Sequence, residues 1–309
     1  MSVQDLVLSS CDCFIQHEGL QSPLWFWISF GCLQQLEIWY CDSLTFWPEE
    51  EFRSLTSLEK LFIVDCKNFT GVPPDRLSAR PSTDGGPCNL EYLQIDRCPN
   101  LVVFPTNFIC LRILVITDSN VLEGLPGGFG CQGTLTTLVI LGCPSFSSLP
   151  ASIRCLSNLK SLELTSNNSL TSLPEGMQNL TALKTLHFIK CPGITALPEG
   201  LQQRLHGLQT FTVEDCPALA RRCRRGGDYW EKVKDIPDLR VTRTLASFLS
   251  CSEILQHIQI WRPGVLKTYH ESFAGDLELV PCKPEVVRGL RYGSLLLAGH
   301  DRIATMMCV

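Results

Sequence analysis

The chain has 309 residues, 45% of them apolar and 18% charged, with a formal net charge of −5. That is length enough for one long solenoid or two ordinary domains, and too apolar for a disordered chain. The acidic balance argues against a general nucleic-acid binder, and the most apolar window, Leu24 to Leu33, is about half of the roughly 20 residues that cross a bilayer.

The N-terminus has no basic segment followed by an apolar one, so no secretory leader is visible. Val3, Leu6, Leu8, Cys11 and Phe14 open a spacing that the next two hundred residues repeat, which predicts a chain that starts inside a repeat and has a missing upstream part. Residues 1–32 are assigned to this weak first copy and a connection rich in aromatics, Trp25–Phe26–Trp27. These aromatics are expected to pack at an exposed solenoid end, or to meet an upstream domain.

From Leu33 the pattern is regular. Leu33, Leu36, Ile38, Cys41, Leu44 and Pro48 stand at offsets that recur from Leu58, Leu90, Leu111, Leu135, Leu159, Leu183 and Leu208. The three copies beginning at Leu135, Leu159 and Leu183 start 24 residues apart. Seven of the eight copies carry proline at the fifteenth offset, where 19 prolines in 309 residues would place about 0.5 by chance. Within a copy, Leu162 and Leu164 alternate with polar Ser161, Glu163 and Thr165, the period of a half-buried strand. Proline then prevents the strand from continuing. One such unit cannot bury its apolar side alone, so the units must stack strand beside strand in a parallel sheet. The fold class expected is α/β, a horseshoe solenoid with the parallel sheet on its concave face and loops and short helices on the convex side. Eight repeats fill residues 33–223.

Two stretches inside the array depart from the average. Glu49–Glu50–Glu51–Phe52–Arg53–Ser54–Leu55 reads as a short convex helix with acids in its first turn, solvated rather than catalytic. The longest connection, between the copies at Leu58 and Leu90, contains Arg80–Pro81–Ser82–Thr83–Asp84–Gly85–Gly86–Pro87, a loop composition expected to be exposed. Where the frame ends, Arg221–Arg222–Cys223–Arg224–Arg225 reads as a solvated face, with a nuclear-localisation signal or a patch for an anionic partner as the sharper alternatives. Residues 224–241 read as a cap over the open sheet edge, with a helix from Asp228 stopped by Ile236–Pro237. Residues 242–309 form a tail. Leu245, Phe248, Leu249, Leu255 and Ile258 fit one helical face loosely, and nothing beyond Pro263 shows a pattern.

Seventeen cysteines suggest a disulfide scaffold, but seven of them (Cys11, Cys41, Cys66, Cys98, Cys143, Cys191 and Cys216) share the turning slot that Ser119 and Asn167 fill in other copies. The slot needs a small side chain that meets turning backbone groups inside the core, and a free thiol serves. The odd total and the absence of a leader argue against bridges. No phosphate-binding glycine loop, zinc spacing or nucleophile elbow is present, so no enzyme, cofactor or metal site is expected.

The positions alternate to the core face the other side of the sheet and change from copy to copy. They supply the candidate partner-binding residues: Glu37, Trp39, Tyr40, Phe62, Asp65, Tyr92, Asp96 and Arg97 in the early copies, and His187, Lys190 and Glu214 in the later ones. Eight strands about 4.8 Å apart span roughly 35 Å, the scale of a protein partner. Trp39, Tyr40, Phe62 and Tyr92 are the expected hot spot, with packing against a flanking segment as the alternative.

The frame is similar to the leucine-rich repeat. Leu33–Gln34–Gln35–Leu36–Glu37–Ile38–Trp39–Tyr40–Cys41–Asp42–Ser43–Leu44, Leu170–Thr171–Ser172–Leu173–Pro174–Glu175–Gly176–Met177 and Cys191 to Gly200 resemble the C-terminal repeats of plant nucleotide-binding leucine-rich-repeat immune receptors. Trp230 to Pro237 resembles the end of that family's repeat domain, and the likeness covers about residues 3–241. It implies a cytoplasmic or nuclear protein acting in defence. The implied partner is a pathogen effector, a guarded host protein or the receptor's own nucleotide-binding domain, with no nucleic acid and no membrane span. The chain lacks that family's nucleotide-binding and coiled-coil regions. An extracellular repeat protein that inhibits an enzyme or receives a ligand is the competing class, for which the sequons at Asn68, Asn167 and Asn179 would permit glycans. A truncated product without activity is the third.

Overall fold

The computed structural model describes residues 3–11, 27–72, 89–103, 108–130, 133–242 and 303–307. The Arg80–Pro87 loop, Trp25, Phe26 and the apolar positions from Leu245 to Ile258 lie outside the described residues.

Every repeat contributes one five-residue strand: β1 (Asp5–Ser9), β2 (Gln35–Trp39), β3 (Lys60–Val64), β4 (Tyr92–Asp96), β5 (Ile113–Thr117), β6 (Thr137–Leu141), β7 (Ser161–Thr165), β8 (Thr185–Ile189) and β9 (Thr210–Glu214). All pair in parallel with the next in sequence, and β10 (Asp238–Thr242) continues the sheet beside β9. The chain is therefore a leucine-rich-repeat solenoid, established by the register of its own strands. Leu138, Leu162 and Leu186 are direct register partners and none is exposed to solvent. The column runs on through Leu36, Leu61, Leu93 and Leu114 on one side and Phe211 on the other, and a second column joins Ile38 to Val213 through Ile140 and Leu164. All of these side chains are fully buried. Burying a leucine stabilises by roughly 1.5–3 kcal/mol, so the columns supply the main driving force.

The turning slot works as a hydrogen-bond ladder between repeats. The Asn167 side chain accepts the Cys143 N–H at 3.1 Å and donates to the Ile140 carbonyl at 2.8 Å. Cysteine does the same with longer bonds: the Cys191 N–H donates to Cys216 Sγ at 3.3 Å, and the Cys191 thiol donates to the Leu164 carbonyl at 3.3 Å. The slot residues are fully buried, and burial pushes the Cys143 thiol up to about 12. Such thiols serve as hydrogen-bonding core residues.

Proline at the fifteenth offset has a further role. Pro48, Pro150, Pro174 and Pro198 each stand immediately before a short convex helix: α1 (Glu49–Ser54), the 3-10 turns Ala151–Cys155 and Glu175–Asn179, and α2 (Glu199–Gln202). The proline carbonyl accepts the first bond of the turn, as in Pro48 to the Phe52 N–H at 2.9 Å, while the ring removes an N–H that would otherwise be left over. Of the acidic triplet, Glu50 is exposed but Glu51 is buried, so the helix start is only partly solvated. Of the aromatic trio, Trp27 is the one described, and it is packed away from solvent. It meets Phe52 edge-on at 6.2 Å, while Trp47 stands 5.0 Å from Phe52 and 5.4 Å from Phe108. These rings fill the space beneath α1.

After β9, α3 (Pro217–Cys223) and α4 (Trp230–Val233) place Leu219, Cys223, Val233 and Ile236 in the core. α4 ends at Val233, before Ile236–Pro237, and the chain then turns into β10. At the other edge β11 (Ile303–Met307) pairs in parallel with β1, Asp5 opposite Ile303. No repeat spacing marks that segment in the sequence.

Candidate recognition face

Because strand side chains alternate, each repeat presents three residues on the face opposite the core. In-register pairing sorts them into columns. The central one reads Val7, Glu37, Phe62, Gln94, Val115, Val139, Glu163, His187, Thr212 and Arg240. The column nearest the turn reads Ser9, Trp39, Val64, Asp96, Thr117, Leu141, Thr165, Ile189, Glu214 and Thr242.

Four of the expected binding residues stand elsewhere. Tyr40, Asp65, Arg97 and Lys190 follow the last residue of their strands and adopt left-handed backbone, with φ of 54°, 53°, 50° and 51°. Ser10, Asp118, Gly142, Ser166 and Asp215 occupy the same place in their repeats. The amide at this position still donates across to the neighbouring strand, as from Tyr40 to the Val64 carbonyl and from Lys190 to the Glu214 carbonyl. Sheet bonding thus continues while the chain turns, and the side chains form a rim beside the strand face. Left-handed backbone is unfavourable for most residues, so the ladder holds it against local preference. Gly142 adopts this backbone without the usual cost, and a Cβ there would displace the Asp118 side chain.

The rim and the face connect through Arg97. Its guanidinium grips the Asp65 carboxylate with two bonds of 2.8 and 2.6 Å and donates to Asp96 at 2.5 Å. The Thr117 hydroxyl donates to the other oxygen of Asp96. Burial pushes the Asp96 carboxyl upward, against the opposing pull of Thr117 and Arg97. Tyr92 is also buried, its hydroxyl donating to Gln94 at 2.7 Å, and burial raises its pKa. The expected aromatic hot spot divides in two. Phe62 and Tyr92 rings lie 5.1 Å apart and Trp39 and Tyr40 rings 6.3 Å apart. Trp39 donates to Glu37 at 3.0 Å, and Gln35 donates to the other Glu37 oxygen at 2.7 Å. Glu37, Trp39, Phe62, Asp65, His187, Lys190 and Glu214 are half-buried and Tyr40 and Arg97 exposed, whereas Tyr92 and Asp96 are withdrawn from solvent.

The centre of the face was not among the residues singled out from sequence. Val115, Val139 and Leu141 are buried in a cluster with Tyr92, against which Phe62 and Ile113 pack. A signal existed: Ile113 to Thr117 and Thr137 to Leu141 are nearly continuous apolar runs, without the alternation of Ser161 to Thr165. Beyond this apolar centre the face becomes polar. Glu163 is buried and accepts from Thr165 at 3.3 Å; burial holds its carboxyl up at about 7. The His187 ring nitrogen is 3.9 Å from it, too far for a hydrogen bond.

Among the described residues no group of acidic, histidine and cysteine side chains could hold a metal ion, and no helix is long and apolar enough to cross a membrane. No protein-family model matches the chain, and no curated protein does. Solved structures do. The leucine-rich-repeat domain of the type III effector XopL is 21% identical, with a TM-score of 0.49 over 65% of this chain and 65% of that one. A leucine-rich-repeat protein of Leptospira interrogans is 21% identical, TM-score 0.44, over 75% of this chain and 65% of that one. An internalin, inlF, of Listeria monocytogenes is 12% identical, TM-score 0.30, over 74% and 79%. The chain thus spans about two thirds of the first two structures it matches.

Proposed function

We propose that the chain is a non-enzymatic protein-recognition module whose partner contacts the strand face and its rim. One observation carries this reading. Inward columns repeat the same apolar residues from strand to strand, while the columns on the opposite face pass from Glu37 and Trp39 through Phe62, Val115 and Val139 to Glu163, His187 and Thr212. A stable scaffold with varied side chains at fixed spacing suits the binding of another protein. The residues proposed to meet it are the half-buried and exposed ones: Glu37, Trp39, Tyr40, Phe62, Asp65, Arg97, His187, Lys190 and Glu214. Tyr92 and Asp96 support Phe62 and Arg97 from below. Residues 33–223 are the repeat array in this reading, and 224–241 carry α4 and most of β10 at its end.

The finer reading is a plant intracellular immune receptor, in the cytoplasm or nucleus, recognising an effector, a guarded host protein or its own nucleotide-binding domain. The wording of the repeats supports it, and so do the thiols of the turning slots, which suit a reducing compartment. Asn167, one of three sequons, is fully buried and bonded on both sides, which disfavours the glycosylated extracellular alternative. Two experiments decide. Transcript mapping upstream of Met1 is expected to find an in-frame nucleotide-binding region; its absence defeats the receptor reading. A binding screen with Trp39, Tyr40 and Arg97 changed to alanine is expected to lose the partner; retention by the triple variant rejects the face.

A further inference from the structure

The basic run Arg221–Arg222–Cys223–Arg224–Arg225 lies on α3 and the turn after it, away from the strand face. It cannot be read as an extended peptide. Leu219 and Cys223 are fully buried, the Arg224 N–H donates to the Ala220 carbonyl at 3.1 Å, and the Arg222 carbonyl accepts the Tyr229 N–H at 2.8 Å. A linear localisation signal would have to unravel this end of the core. What the run presents instead is a group of arginines whose backbone is held against the core.

Among the described residues, one of the four has an acidic partner. Arg222 pairs with Asp228 at 3.0 Å and lies over the Tyr229 ring, 5.5 Å from its centroid. Gly226, with φ of 85°, and Gly227, packed against the Arg221 and Arg222 carbonyls, return the chain so that this pair can form. Arg221, Arg224 and Arg225 are exposed and have no acidic partner among the described residues. No Asp or Glu occurs between Cys216 and Gly227. The favourable field at a helix C-terminus accounts for basic residues in the last turn of α3, but not for two more beyond its end. Beside Arg221 and Arg222 is an open cleft of about 470 Å³, lined also by Thr195, Ala218, Gly227 and Asp228.

We propose that this end of the solenoid docks an acidic peptide segment of a partner protein, with its carboxylates on Arg221, Arg224 and Arg225 and an adjoining side chain in the cleft. The guanidinium fork matches a carboxylate with two parallel bonds. A long polyanion suits the molecule less well. The chain as a whole carries −5, so its wider field opposes nucleic acid or an anionic lipid surface, whereas a short segment meets only the local patch. The site is separate from the strand face and does not depend on the function proposed for it.

The test is fluorescence anisotropy of a labelled octaglutamate peptide with the full chain at about 0.15 M salt, beside a labelled oligothymidine and vesicles containing anionic lipid. Reversing the three arginines together (Arg221→Glu, Arg224→Glu, Arg225→Glu) is expected to weaken peptide binding about tenfold or more, as summed exposed pairs do. The circular dichroism spectrum should be unchanged, since all three side chains are exposed; if the reversed variant does not fold, the matching glutamine variant is read instead. Trp39→Ala is expected to leave peptide binding intact. Undiminished binding by the arginine variants, loss with Trp39→Ala, or tighter binding of the oligonucleotide or vesicles than of the peptide would each overturn the proposal.

Discussion

The two faces of each strand share one backbone and one register, yet obey different rules. On the core side, every repeat offers a leucine or a close relative at the same two positions, and all are fully buried. On the opposite side, the same register brings together Glu37 with Phe62, Val139 with Glu163 and Glu163 with His187. The core side is constrained by its neighbours above and below, since a change in one layer leaves a hole that the adjacent layers cannot close. The other face is packed across strands mainly at its apolar centre, and its composition passes from apolar in the middle strands to more polar in β7–β9. Stability is written on one side of the sheet, and selectivity is free to be written on the other.

The contrast can be broken at four places. The largest effect is expected at Leu162→Ala, in the middle of the core column, which should lower unfolding free energy by about 2–5 kcal/mol in a urea titration. A loss below about 1 kcal/mol would mean that the layers relax into the hole and that the columns are not the main support. Next is Asn167→Ala, which leaves the Cys143 N–H and the Ile140 carbonyl without their side-chain partner. A cost of about 2–3 kcal/mol is expected, and Asn167→Cys should recover part of it, because cysteine fills the same slot in other repeats.

On the other face, Glu163→Gln sharpens the comparison through pH. The folded-state pKa, about 7, lies above the ordinary 4.5, so the folded chain holds this proton to higher pH than the unfolded chain does. The contribution is complete below about 4.5 and is lost as pH rises through 7. The glutamine variant should therefore match the parent near pH 4 and exceed it by about 3 kcal/mol near pH 8, measured as urea midpoints. An equal difference at both pH values would show that burial of the carboxylate is not the cause. The smallest effect on stability belongs to Trp39→Ala. With Trp39 half-buried at the rim side of the face, a change of under about 1 kcal/mol is expected in the same titration. A loss of several kcal/mol would make Trp39 a core residue and remove it from the recognition face.

Much of this architecture was legible because the repeat makes its own statistics. The spacing from Leu33 to Pro48 predicts one strand, one turning slot and one convex turn, and the register of Leu138, Leu162 and Leu186 follows directly. The slot was legible for the same reason: only a small, hydrogen-bonding side chain recurs there. The strand face opposite the core was harder to read. Alternation identifies which residues leave the core, but not where the strand ends, so Tyr40, Asp65, Arg97 and Lys190 were expected on the strand and stand on the rim. Left-handed backbone at ordinary residues has no local signature; glycine marks this place only at Gly142. Burial of Tyr92 and Asp96 was equally hidden, because it depends on Val115, Thr117 and their neighbours in adjacent strands.

What the sequence determined by itself is the stacking: the period, the identity of the core columns, the slot and the proline before each turn. These are properties of a single repeat unit that neighbouring copies only multiply. What the tertiary structure alone decided is how residues from different repeats meet: the Arg97 grip on Asp65 from an adjacent strand, the apolar centre between Phe62 and Leu141, the pairing of β11 with β1, and the return of Asp228 to Arg222. The physical reason is that burial and charge pairing depend on distances across the sheet and around its ends. Those distances exist only once the coils are stacked.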